Sequence, residues 1–264
     1  MITDSRPRTS LVTESLLLAS RHINRWRTEP LLPIQSLVFP TLLLIIYYLL
    51  VGKSMVTIAG TDNLDGLVPL CALAGGMFGA LGAGFAVPFE RASGLLSRLW
   101  AFPVHRASAL IGRLLAEAAR TLVSATLITA VGVALGLRFH GSWLAVIPFL
   151  LVPVLVVVVF AMIVLTVALA SGPEINSMFT WLATGSIGLV FASSGVAPVE
   201  LLPSWLQPII QFQPMSPAIE SMRALASGES AIWPLTLTVA WAMVIAAVFG
   251  PLAVRKYRRA AESG

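Results

Sequence analysis

Six stretches of this chain are long and apolar enough to cross a lipid bilayer, which constrains its fold more than any other feature. A helix needs about 20 mainly apolar residues to span about 30 Å of hydrocarbon. Hydrophobic residues make up 57% of the chain and charged residues 11%, whereas soluble domains are about 25% charged. The sequence therefore predicts an all-α integral membrane protein with six transmembrane helices. The predicted spans are residues 33–52, 67–89, 110–137, 143–170, 175–194 and 232–254.

The basic residues predict how this bundle is oriented. Short loops rich in lysine and arginine stay on the cytoplasmic side. If the N-terminus is cytoplasmic, thirteen basic residues lie inside and three outside. We therefore expect a multi-pass protein of the plasma (inner) membrane with both termini cytoplasmic. Its parts are a cytoplasmic N-terminal segment (1–30), a six-span domain (31–254) and a basic cytoplasmic tail (255–264).

An amphipathic helix is predicted before the first span, over residues 11–27. Val12, Leu16, Ile23 and Trp26 recur at helical spacing on one face, and charged residues occupy another. Such a helix can lie on the membrane surface, anchored by its arginines. It can also dock a cytoplasmic subunit, and the two roles are compatible.

A charged stretch over residues 90–106 separates the second and third predicted spans. Arg91, Arg98 and Arg106 mark it as cytoplasmic by the positive-inside rule. A short interfacial helix in this position can receive a push from a soluble partner. The stretch therefore indicates a membrane machine that is driven from outside its own sequence.

A run of small residues inside the second predicted span concerns helix packing. Gly75, Gly76 and Gly79 belong to a run of small residues at four-residue spacing, which lets helix backbones approach closely. We expect packing within the chain there, with a subunit interface or a moving contact as the alternative.

A charge cluster is predicted in the third span, where Arg113, Glu117 and Arg120 share one face of the helix. Charges at membrane depth are costly and usually paired. We expect Glu117 to neutralise both arginines near the cytoplasmic end. The alternative is a role in the translocation path.

The loop between the fifth and sixth spans is too apolar for a free external loop. Its prolines suit the first turns of two short helices, over residues 203–212 and 217–226. Neither is long enough to cross the bilayer, so we expect both to enter the outer leaflet and return, shielded by protein.

Several other functions are disfavoured by the sequence. The histidines, His22, His105 and His140, lie outside the predicted spans, so we expect neither a catalytic dyad nor a metal site at membrane depth. The tripeptide that begins at Gly52 lacks the first glycine of a phosphate-binding loop, so no nucleotide site is expected in this chain. The basic residues lie at the ends of apolar runs, which favours membrane orientation over nucleic-acid binding.

Two sequence blocks carry a family resemblance. The first runs over residues 90–96 into Pro103-Val104-His105-Arg106, and the second runs over residues 202–208 and continues to Arg223. With these blocks in order, nearly the whole chain resembles the permease subunits of type-2 ABC exporters, in the daunorubicin-resistance-like branch. The continuation of the first block, from Leu99-Trp100 to Arg106, is similar to actinobacterial and mycobacterial permeases that export complex envelope lipids.

The resemblance implies a partnership. Two permeases, identical or homologous, would form a twelve-span core above two cytoplasmic ATPase subunits that bind ATP and magnesium. This chain would bind no cofactor, catalyse no reaction itself, and move an amphiphilic lipid or an apolar drug outward among membrane lipids. Residues 90–99 would form the coupling helix that receives the ATPase movement. The implied coupling residues are Glu90, Arg91, Gly94, Leu95, Leu96, Arg98, Leu99, Pro103 and Arg106.

The resemblance also implies an outer gate built from the short helices after Ser194. Its residues would be Pro203, Trp205, Pro208 and Pro214. Two alternatives of other classes stay open from the residues alone. One is a six-span carrier or pore that works without an ATPase, and the other is a scaffold for envelope assembly.

Overall fold

The computed structural model describes residues 10–28, 34, 37–38, 40–49, 64–92, 94, 108–170, 175–196, 199 and 202–262. Part of the predicted first span and most of the predicted coupling segment lie outside these residues. The predicted coupling residues outside the described part are Leu95, Leu96, Arg98, Leu99, Pro103 and Arg106. The side chains of Trp26 and Arg91 are likewise not described.

The described residues form helices and connecting turns, and no strand occurs among them. A single 3₁₀ turn, Trp143–Ala145, leads directly into the fifth α-helix. The α-helices are α1 (Leu11–Thr28), α2 (Pro40–Leu49), α3 (Leu64–Ala92), α4 (Ser108–Leu135), α5 (Val146–Ala170), α6 (Ile175–Phe191), α7 (Gln207–Phe212), α8 (Met215–Ser227) and α9 (Ile232–Glu262).

Four helices in the described part of the chain are long and apolar enough to cross a membrane: Leu64–Pro88 in α3, Ser108–Leu135, Trp143–Ala170, and Ile232–Arg259 in α9. They coincide with four predicted spans. The helices found within the first and fifth predicted spans, α2 and α6, are shorter. The prediction of an all-helical membrane protein is confirmed.

The ends of several helices differ from the predicted ends. Helix α4 stops before Gly136, whose φ of +129° is a conformation that glycine adopts easily. The Arg138 guanidinium caps the helix end by donating to the Val133 carbonyl at 3.0 Å. Helix α9 continues past the predicted span, so that most of the predicted tail is helical up to Glu262. Tyr257 is buried there, which gives this helical extension a packed face.

The core forms around α5, which packs against α3, α4 and α9. This helix is apolar on all sides, as expected for a helix buried among others. Its side chains Phe149 and Val157 are fully buried, as are Ile219 and Met222 on α8. The short helix α8 is therefore part of the core and not an external loop.

The bundle has two ends. The basic end carries Glu90, Arg113 and Tyr257 and lies where α3 ends, α4 begins and the last turns of α9 lie. The loop end carries Leu64, Gly136 and Ala226. There the His140 amide donates to the Ala226 carbonyl at 2.8 Å, which ties the connection after α4 to the end of α8.

Glycines set the close approach between α3 and its neighbours. A Cβ at Gly76 would collide with Val157 of α5 and lie 3.1 Å from Thr121 of α4. Gly75 is buried in the same stretch. Gly76 therefore allows α3 to approach both α4 and α5 closely.

Candidate functional site

The residues predicted to start the coupling helix belong to helix α3, beyond the end of its membrane-spanning part. Helix α3 continues through Glu90 and Arg91 to Ala92, and Gly94 follows in a turn with φ +68°. A left-handed residue ends an α-helix, and glycine adopts that conformation without steric cost. Glu90 and Arg91 therefore lie in the last turn of α3, and residues 95–99 of the predicted coupling helix lie outside the described part of the chain.

At the basic end, three helices meet at a charged cluster. The Arg113 guanidinium on α4 forms an ion pair with the Glu90 carboxylate on α3, and their side chains are 14% and 11% exposed. Tyr257 of α9 is buried and close enough to interact electrostatically with both charges. We call Glu90, Arg113 and Tyr257 the basic-end cluster. Its ion pair joins the last turn of α3 to α4, and the buried Tyr257 of α9 lies nearby.

A second ion pair lies deeper on α4. The Arg120 guanidinium binds the Glu117 carboxylate on its own helix, and the two residues are 6% and 7% exposed. Arg120 Nη2 also donates to the Gly76 carbonyl of α3 at 3.1 Å. Its Nη1 has no hydrogen-bond partner among the described residues.

These two pairs correct the prediction for the charge cluster. Glu117 was expected to neutralise both Arg113 and Arg120, but Arg113 pairs with Glu90. Arg120 follows Ser108 by twelve residues, about 18 Å at 1.5 Å per residue, which places it near the middle of α4. The deeper pair is therefore further from the basic end than expected.

The space for Arg120 is provided by a glycine on α3. A Cβ at Gly79 would overlap the Arg120 guanidinium. The four-residue spacing of Gly79 from Gly75 predicted helix packing alone, without a link to the arginine. A glycine-rich span beside a span that carries a central arginine is the signal that could have linked them.

Helix α1 packs on α4 beside the basic-end cluster. A Cβ at Gly112, next to Arg113 in sequence, would lie 2.9 Å from the Ser15 carbonyl. Glu14, Ser15 and Ala19 are buried on this side of α1.

The predicted apolar face of α1 points elsewhere. Val12 and Leu16 are 64% and 56% exposed, and Ile23 is exposed as well. This face therefore takes no part in the contact with α4.

At the loop end, Arg223 connects three segments. Its guanidinium pairs with Glu220 on α8 at 2.7 Å and donates to the Ser194 carbonyl after α6 at 3.0 Å. A Cβ at Gly66 of α3 would lie 2.6 Å from the same guanidinium. From the sequence, Arg223 was expected only to end the second family block, and its three-residue spacing from Glu220 was the available signal for the pair.

The predicted gate residues lie at the same end. Pro203 and Pro208 are exposed and Trp205 is 70% exposed, whereas Pro214 is partly buried just before α8. The Trp241 indole of α9 donates to the Phe212 carbonyl at 3.0 Å, which attaches α7 to the last long helix.

The chain matches a family described as "ABC-2 type transporter" over residues 14–227, which include both ion pairs of α4. It is 34% identical over 250 residues to a probable doxorubicin resistance ABC transporter permease protein of Mycobacterium tuberculosis, covering 94% of this chain and 90% of the relative. It is 32% identical over 147 residues to a daunorubicin resistance ABC transporter permease protein of Streptomyces coeruleorubidus, covering 54% and 50%. A putative transport permease of Cyanophora paradoxa is 23% identical over 229 residues, covering 86% and 78%.

Proposed function

Because the chain belongs to the ABC-2 type transporter family, as a membrane permease subunit of an ABC exporter, we propose that it exports an amphiphile. The substrate would be an apolar drug or a complex envelope lipid taken from the cytoplasmic leaflet. The names of two relatives, which refer to doxorubicin and daunorubicin resistance, support the drug class. ATP and magnesium would bind a separate cytoplasmic subunit, and a second permease, identical or homologous, would complete the pathway.

The proposed topology has six spans, with both termini cytoplasmic and the basic end facing the cytoplasm. Helices α2 and α6 would belong to the two spans that are incompletely described or short. Helices α7 and α8 would form the re-entrant segment on the outer side, because neither is long enough to cross the bilayer.

The observation that carries the proposed mechanism is the Glu90–Arg113 ion pair. Glu90 lies in the last turn of α3, directly before the basic loop that would contact the ATPase. A displacement of that loop would move the end of α3, and the ion pair would transmit the movement to α4. Tyr257 would extend the same connection to α9.

Helix α1 would position the ATPase beside this cluster. Its buried side fixes it on α4 through the close contact at Gly112. Its exposed apolar residues, Val12, Leu16 and Ile23, would rest on the membrane surface or on the ATPase. Nucleotide binding would then bias two arrangements of the subunit interface, one open inward and one open outward.

The experiment compares Glu90→Gln with Glu229→Gln in the reconstituted complex of permease and ATPase. Glu229 is an exposed loop-end acid, so its variant removes the same charge away from the cluster. Coupling free energies of about 1–3 kcal/mol correspond to about 5–150-fold effects, so we expect Glu90→Gln to lower doxorubicin-stimulated ATP hydrolysis at least about fivefold. Glu229→Gln should match the unmodified chain, and both variants should still co-purify with the ATPase.

Two results would contradict the proposal in different ways. Equal stimulation in Glu90→Gln and Glu229→Gln would remove the ion pair from the coupling route. An ATPase-independent carrier or pore would be favoured by two results together: the native chain is recovered without any ATPase, and the purified chain alone moves doxorubicin down a gradient.

A further inference from the structure

Two cavities of opposite character adjoin the first turn of α8. The apolar cavity has a volume of about 360 Å³ and is lined by side chains from α3, α5, α6 and α9 and by the residues before and at the start of α8. Met77, Phe160 and Met215 form part of its wall. Trp181 lies at its exposed edge, so the cavity is accessible from the side of the bundle.

The polar cavity has a volume of about 320 Å³ and lies at the loop end. Hydrogen-bonding and charged side chains dominate its wall: Ser194, Gln207, Gln211, Ser216, Glu220 and Arg223. The two charged residues of the wall pair with each other at 2.7 Å, so together they contribute no net charge.

A buried hydroxyl in the wall of the polar cavity is available to a bound group. Ser194 is 1% exposed, and its Oγ has no hydrogen-bond partner within the described part of the chain. Its backbone is satisfied, since the amide donates to Ser216 Oγ at 3.2 Å and the carbonyl accepts from Arg223 at 3.0 Å. A buried hydroxyl without a partner costs free energy, so a bound group that supplies one would be favoured.

The two cavities share the first turn of α8 in their walls. Met215 lines the apolar cavity and Ser216 lines the polar one, and consecutive Cα atoms are about 3.8 Å apart. Protein interiors are close-packed, and a lined apolar cavity of about 150 Å³ already binds benzene. The apolar cavity is more than twice that volume, so it can hold a hydrocarbon chain.

We propose that the two cavities together bind one uncharged amphiphile. Its hydroxyl-rich headgroup would occupy the polar cavity and its hydrocarbon chain the apolar one. This inference rests on the proposed function and concerns its lipid substrates, which it narrows to uncharged ones. A sugar-like headgroup fits because the wall offers amides, hydroxyls and a self-neutralised ion pair, with no excess charge to attract an ion.

The depth of the apolar cavity agrees with this occupant. Trp181 precedes Phe191, the last residue of α6, by ten residues, about 15 Å along the helix axis. That is about half of a hydrocarbon core of about 30 Å. A lipid with its headgroup at the loop end would therefore place its chain within one leaflet, beside the lining residues of α6.

Helix α6 offers a matched pair of variants for the test. Gly185 lines the apolar cavity, and a Cβ there would meet no atom within 4 Å, so Gly185→Phe fills the cavity without a backbone clash. Gly188, one turn further along, is equally free of neighbours but does not line the cavity. Gly188→Phe therefore controls for adding a phenyl ring to this helix.

The measurement is photocrosslinking of the full chain in vesicles that contain a glucosyl diacylglycerol with a diazirine in one acyl chain. We expect adducts, located by mass spectrometry, at Trp181 and Met215. Gly185→Phe should lower their yield at least about tenfold, because excluding two buried methylene groups already weakens binding by about that factor. Gly188→Phe should leave the yield unchanged.

The headgroup is tested with a second pair of variants and a second probe. Ser194→Ala should weaken glycolipid labelling by about threefold, as expected for one neutral hydrogen bond. Ser193→Ala is the control, because the Ser193 hydroxyl already donates to the Val190 carbonyl at 2.6 Å. A phosphatidylglycerol that carries the same diazirine chain should label more weakly than the glycolipid.

The site would be overturned if the adducts were spread evenly over outward-facing residues such as Leu151 and Val244 and if Gly185→Phe did not change their yield. Equal or stronger labelling by phosphatidylglycerol would overturn the neutral headgroup. Because the assay requires no ATPase, loss of the ATPase partnership would leave these readouts intact. Failure of the lipid site would likewise leave ATPase co-purification unchanged.

Discussion

Two arginines on the same face of α4 have different surroundings. Arg113 pairs with Glu90, which is 23 positions earlier and belongs to another helix. Arg120 pairs with Glu117 on its own helix and donates to the Gly76 backbone carbonyl. Both side chains are largely buried, so burial alone does not separate them.

The two ion pairs would respond differently to a movement of α3 relative to α4. The Arg113 pair joins two side chains at the ends of α3 and α4, so its geometry depends on how those ends are arranged. The Arg120 pair stays with α4, and its guanidinium fills the space left by Gly79. The comparison indicates that the middle of α3 is held firmly against α4, while their ends at the basic loop are connected by an adjustable contact.

The largest effect is expected from Arg120→Leu. It leaves the Glu117 carboxylate buried without its partner, and breaking a buried pair costs about 3–5 kcal/mol. The free energy of unfolding, measured by SDS titration and tryptophan fluorescence, should fall by that amount. In Glu117→Leu/Arg120→Leu most of the loss should be recovered, since an apolar replacement of a buried pair is often neutral. A double variant no more stable than the single one would show that the pair is not the cause.

A smaller effect is expected from Gly79→Ala. The added methyl group displaces the Arg120 guanidinium from its place against α3, and overpacking of this kind costs about 1–3 kcal/mol. Gly250→Ala in α9 is the control, because its Cβ would meet no atom within 4 Å. The same titration should find Gly250→Ala neutral or slightly stabilising, as expected for alanine in a helix. Equal stabilities would mean that Gly79 does not hold the arginine in place.

Much of the fold was predictable, because apolar runs of span length identify helices without any knowledge of their contacts. The helix ends were less predictable. Hydropathy falls where charges begin, yet α9 continues to Glu262 because Ala253 and Tyr257 still pack on the bundle. Gly94 is compatible with a helix or a turn in the sequence, and its positive φ decides for a turn.

The site was predictable only where its residues are close in sequence. Helical spacing brought Glu117 and Arg120 together correctly. It could not find Glu90 as the partner of Arg113, because the two residues are 23 positions apart and lie on different helices. The amphipathic pattern of α1 identified an apolar face. The face that packs on α4 is a different one, where Ser15 and Ala19 of α1 lie against Gly112.

The smallest effect on stability, and the most direct test of the comparison, is expected from Arg113→Leu. The Arg113 side chain is 14% exposed and that of Arg120 is 7% exposed, so the pair at the end of the bundle is less completely removed from water. We expect a loss of about 1–2 kcal/mol, between the values for exposed and buried pairs. The charge exchange Glu90→Arg/Arg113→Glu should recover at least half of it in the same titration, because the attraction survives with its direction reversed. If Arg113→Leu costs as much as Arg120→Leu, the contact at the basic end is as fixed as the one in the middle, and the ends of α3 and α4 are not free to adjust.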